Sequence, residues 1–114
     1  MEKVKISIVN IIGDVHVFEA EEGEKVFNII VKVLNEGKGV VISFLNVEFI
    51  TTAFLNTAIG QLYKSYSEEF IKEYIEVEDI SNSGFIALKR VVQTAKLYYK
   101  DPDAIQRRID AVNE

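Results

Sequence analysis

Apolar and polar residues alternate at Val4-Lys5-Ile6-Ser7-Ile8, a period of two that marks a half-buried strand. Ile11-Ile12-Gly13-Asp14 reads as a turn. Val15-His16-Val17-Phe18 alternates again, a short second strand that would close a hairpin with the first. From Glu21 to Glu36 the spacing changes to that of a helix: Val26, Ile29, Ile30, Val33 and Leu34 form one apolar stripe, widened by Phe27 and Val31. Acidic residues crowd its positive N-terminal end, and Gly37 suits a left-handed C-terminal cap. Val40-Val41-Ile42-Ser43-Phe44-Leu45 is almost continuously apolar, the signature of a strand covered on both faces.

Residues 52–66 predict a second helix, with Leu55, Ala58, Ile59, Leu62 and Tyr66 inward. Tyr74 to Ile80 reads as a further strand. Ser83 to Tyr99 reads as a third helix, with Leu88, Val91, Val92, Ala95 and Tyr99 in register. Glu68-Glu69 fits either a helix start or an exposed turn. Asp101 as N-cap and Pro102 at the first helical position begin a short last helix, with Ile105, Ile109 and Val112 inward. Together these elements predict an α/β domain with a mixed or parallel sheet of about four strands, in the order β(β)αβαβα plus a short C-terminal helix. In such sheets the loops after the strands form the working edge. Two stand out here, residues 46–52 and 81–84.

Composition narrows the function classes. The 114 residues make one domain, 1–114, with 48% apolar and 27% charged residues and a single proline, a folded rather than disordered balance. A net charge of −5 argues against nucleic-acid binding, which needs a basic face. Lys89, Arg90, Lys96 and Lys100 read as solvated helix surface. No apolar run approaches the length of a membrane span, and the N-terminus lacks the core of a signal peptide, so the cytoplasm is the expected location. Cysteine is absent, and His16 is the only histidine, expected as an exposed strand residue. No nucleophile–base–acid set is visible, so neither catalysis nor a cofactor or metal is expected.

The stretch VVISFLNVEFITTAFLNTAIGQLY resembles the middle of the STAS-like family, bacterial relatives of the STAS domain of anti-sigma-factor antagonists and sulfate transporters. That family runs an apolar strand into an apolar loop, two small hydroxyl residues, a phenylalanine and a helix. Phe49-Ile50-Thr51-Thr52-Ala53-Phe54-Leu55 and Ile59-Gly60-Gln61-Leu62-Tyr63 follow that layout. The resemblance implies a STAS-like sheet and a regulatory module that binds a protein partner, such as a histidine-kinase-type ATPase. In antagonists a serine at this helix start is phosphorylated, within Asp-Ser-Ser-Gly. Residue by residue, those four fall on Thr51, Thr52, Ala53 and Phe54, and the acid that ends the preceding strand falls on Ser43. Only the hydroxyl at Thr52 is shared.

Candidate sites follow from the two readings together. One of Thr51 and Thr52 is expected to be an N-cap, and Thr52, then Thr51, is the candidate phosphosite. Core packing is the prevailing expectation for Phe49 and Phe54. Left exposed beside the threonines, they would anchor a partner. Ser81-Asn82-Ser83-Gly84 is turn and cap chemistry whose amides could also hold an anion. The alternative to a protein-interaction module is therefore a small-ligand domain that senses an anion or nucleotide at the same edge. An apolar surface on the second or third helix would suit a homodimer.

Overall fold

The computed structural model describes residues 1–100; the short helix expected from Asp101 lies outside them. The elements are β1 (Lys3–Ser7), α1 (Ile8–Ile12), β2 (His16–Val17), α2 (Ala20–Asn35), β3 (Gly39–Ser43) and β4 (Phe49–Ile50). Then come α3 (Thr52–Leu55), a π-helical stretch (Asn56–Gly60), α4 (Leu62–Ser65), α5 (Glu68–Tyr74), β5 (Ile75–Glu78) and α6 (Asn82–Lys100). The strands form a parallel sheet in the order β1-β3-β5 and a separate parallel pair, β2-β4. This is the α/β layout expected, with helices packed on parallel strands.

The N-terminal hairpin does not form. Ser7 caps a single turn of helix, its hydroxyl accepting from the Asn10 amide at 3.2 Å. Gly13, at φ 80°, closes that turn with its amide on Val9 O at 2.7 Å. The turn carries β2 away from β1 and lays it beside β4. Alternation over so few residues shows a strand but not its partner.

The strand register sets the two faces of the sheet. Val4, Val40 and Ile75 share one row, and Ile6, Ile42 and Val77 the next on the same face. This face is the floor of the core, where Val40 and Ile42 are fully buried. The opposite face carries Lys3, Lys5, Glu76 and Glu78, none of them buried, with Val41 half-buried and Gly39 and Ser43 buried among them. Lys3 pairs with Glu76 and Lys5 with Glu78 (3.1 Å), so the charges reach across β3. Only Val41 of β3 is partly open, beside those ion pairs, so the strand is largely covered on both faces, as expected.

The second helix forms from Thr52 to Ser65 but widens in the middle, where the Gln61 amide bonds Asn56 O at 2.9 Å. The widening falls where two helices cross it. A Cβ on Gly23 of α2 would stand 2.6 Å from Phe54 O, and one on Gly60 would stand 3.2 Å from Val91 of α6. Leu55, Ala58, Ile59 and Leu62 are buried there, as expected. Glu68-Glu69 resolves as a helix start: Ser67 caps α5 by accepting from the Phe70 amide at 3.1 Å. Tyr66, Phe70 and Tyr74 stack along it at centroid distances of 5.0 and 4.1 Å. None of the described helices is long and apolar enough to cross a membrane.

Candidate functional site

The β2–β4 pair builds the candidate site. The Glu48 amide bonds Val15 O at 2.8 Å and the Thr51 amide bonds Val17 O at 3.1 Å, so His16 lies opposite Phe49. Three rings then meet: His16–Phe18 at 5.6 Å, His16–Phe49 at 5.5 Å and Phe18–Phe49 at 6.4 Å between centroids. Phe49 is 61% exposed and Phe18 48%. Core packing therefore fails for Phe49. The reason is that β4 is an edge of only two residues, with Ile50 turned in and Phe49 out.

Carboxylates surround the rings. Asp14 Oδ1 is 3.4 Å from His16 Nδ1, and Glu48 Oε2 is 3.4 Å from Nε2. The His16 amide donates to Asp14 at 3.0 Å and holds that carboxyl below the usual aspartate range. Glu22 is not merely solvated charge: its carboxylate accepts from the Phe18 and Glu19 amides at 3.2 and 3.1 Å, fixing the entry to α2. Asp14, Glu19, Glu21 and Glu22, with Lys25, line an open depression of about 370 Å³ beside His16 and Phe18.

The two threonines divide their duties. Thr51 is the N-cap of α3: its hydroxyl accepts from the Phe54 amide at 3.2 Å and donates to Phe18 O. A Thr51→Val exchange keeps the shape and removes both bonds. It should lower stability by about 1–2 kcal/mol in urea unfolding, while Thr51→Ser should keep most of it. A loss in Thr51→Ser with none in Thr51→Val would show that the methyl group, not the hydroxyl, matters. Thr52 is the first helical residue, and its side chain is exposed. Phe54 is fully buried, so it supports the helix start from within and cannot be a partner's anchor.

The other loop comes to the same place. Ser81, Ser83 and Gly84 line a small cleft of about 130 Å³ with Glu48, Phe49 and Ile50. A Cβ on Gly84 would stand 2.9 Å from Ile50 Cδ1, so glycine lets α6 begin against β4. Ser81 accepts from the Gly84 amide at 3.1 Å, and Ser83 Oγ lies 3.4 Å from Ser81 Oγ. Asn82 is exposed at the first position of α6 and does not line the cleft. Glu48 is the one charged residue of that lining, and it opposes an anion there.

Residues 22–85, more than half of the chain, match the model of a family described as a STAS-like domain of unknown function (DUF4325). The chain belongs to this STAS-like family. No curated protein and no solved structure matches it. The match takes in Phe49, Thr51, Thr52 and the 81–84 loop and leaves His16 and Phe18 outside. The ring cluster is therefore built from one ring of the STAS-like segment and two of the chain before it.

The fold also restores a carboxylate near Ser43. Ser43 is buried, and its hydroxyl donates to Asp79 Oδ2 and accepts from the Leu45 amide, both at 3.3 Å. Asp79 (φ 57°) and Asn46 (φ 67°) both hold left-handed backbone at these strand ends. In this STAS-like domain an acid thus reaches the end of β3 from the neighbouring strand. His16 and Asp79 carried no motif. The only sequence signal was that His16 and Phe18, two apart on a strand, share a face.

Proposed function

We propose that this STAS-like domain is a non-enzymatic interaction module. It binds a protein partner through Phe49, Thr52 and the rim of the 81–84 cleft, with charge added at Thr52 as the switch. The observation that carries this reading is the convergence of the two candidate loops on one exposed aromatic. Phe49, 61% exposed, stands between the start of α3 and the start of α6. Exposed aromatics beside small polar side chains supply large contact area at low entropic cost. The partner class suggested by the STAS relationship is a histidine-kinase-type ATPase or a similar regulator. Thr52 suits modification better than Thr51, because Thr51's hydroxyl already makes two bonds. A phosphate at Thr52 would add about two negative charges at the start of α3 and change what the surface attracts.

The test is capture from native lysate with the wild-type chain, followed by mass spectrometry of the bait. Phe49→Ala and Thr52→Glu should each weaken recovery of the wild-type partner by about tenfold or more. Undiminished recovery with both variants would place the partner's contact elsewhere. Phosphate found on Thr51 rather than Thr52 would overturn the assignment of the switch.

A further inference from the structure

We propose that the chain pairs with a second copy of itself through a surface that is acidic at one end and basic at the other. The acidic end is the ring cluster of Phe18, His16 and Phe49. Asp14, Glu19, Glu21, Glu22 and Glu48 line its two hollows against a single Lys25. The basic end is a stripe along α6: Phe85, Leu88 and Val92 form an apolar groove of about 260 Å³ edged by Lys89 and Lys96, with no carboxylate in its lining. Phe85 is 50% exposed and Lys89 sits 5.8 Å above its ring. Lys96 is held toward the groove's far end by Glu68 at 3.4 Å and by the Tyr63 ring at 5.9 Å.

The two ends meet at the first turn of α6, where Phe49 and Ile50 border Gly84 and Phe85 follows. A two-fold axis sets each end of such a surface against the opposite end of the partner copy. Exposed Phe49 and Phe85 then bury in one contact, and Lys89 comes to the carboxylates around His16. Neither half has a cover within the described residues of one chain. With Lys96 already paired to Glu68, Lys89 supplies the cation to the carboxylates around His16, which is why the fitting occupant is a second copy. The inference is independent of the proposed partner, though the two surfaces share Phe49.

Sedimentation velocity over a wide range of chain concentrations tests it. The wild-type chain should dimerise with concentration, and added salt should weaken the dimer. Phe49→Ala and Phe85→Ala should each raise the dimer dissociation constant about tenfold or more. Both residues are exposed, and circular dichroism would verify that the variants fold. Glu48→Lys and Lys89→Glu should each weaken the dimer, and the two together should restore it, since the pair is merely exchanged. A chain that stays monomeric up to its solubility limit would overturn the proposal. So would a dimer that neither phenylalanine exchange nor the charge exchange affects.

Discussion

Phe54→Ala is expected to lower the free energy of unfolding by about 3–5 kcal/mol. The side chain is fully buried at the start of α3, in the turn whose Phe54 carbonyl faces Gly23 of α2. Removing it deletes most of an aromatic group's burial and leaves a cavity that rigid neighbours cannot fill. The same residue's amide is the donor to the Thr51 cap, so a loosened Phe54 also loosens the helix start. A domain of this size has about 5–15 kcal/mol in all, so the variant should unfold at much lower urea. Phe49→Ala should change stability by no more than about 0.5 kcal/mol, because its ring is largely exposed. Two phenylalanines five residues apart would thus separate cleanly, one into stability and one into binding. A Phe54→Ala loss below about 1 kcal/mol would contradict the packing described.

Gly23→Ala is expected to cost about 2 kcal/mol, although helix propensity alone favours alanine by about 1 kcal/mol. The added Cβ would stand 2.6 Å from Phe54 O, 2.9 Å from Thr57 Cβ and 3.1 Å from the Ala58 amide nitrogen. Two of these three atoms are backbone, so no side-chain rotation relieves the contact. α2 would have to move off the π-helical stretch, reopening the most closely packed helix crossing of the domain. Gly84→Ala is the useful contrast, since the atoms it would meet are all side-chain atoms of Ile50, Ile80 and Ser81. Thermal unfolding of the two variants side by side gives the check, and a stabilised Gly23→Ala protein would show that propensity outweighs the crossing.

Much of the architecture could be read from the chain, and the misreadings share one cause. The helix from Ala20 to Asn35 and the glycine at 37 in the left-handed region follow from local periodicity and backbone chemistry. The pairing of β2 with β4 does not. His16 and Phe49 are separated by the whole of α2 and β3, and a strand of two residues contains nothing that names its partner. Phe54 and Phe49 flank the threonines alike in the sequence, but their exposure depends on tertiary contacts: Phe54 lies on the α3 turn that α2 crosses, whereas Phe49 is the outward residue of the β4 edge.

The sequence by itself determined the α/β class, the long helix over Ala20–Asn35, the STAS-like segment and the presence of a capping hydroxyl at the second helix. Each of these is a local property, set by side-chain spacing and by which residues satisfy a helix end. The tertiary structure alone decided that Thr51 rather than Thr52 is the cap, that Phe49 is out and Phe54 in, and that His16 joins them. It also set two ion pairs across β3 on the outer face of the parallel sheet. These outcomes depend on contacts between residues far apart in the chain, and such contacts arise only when several elements pack at once.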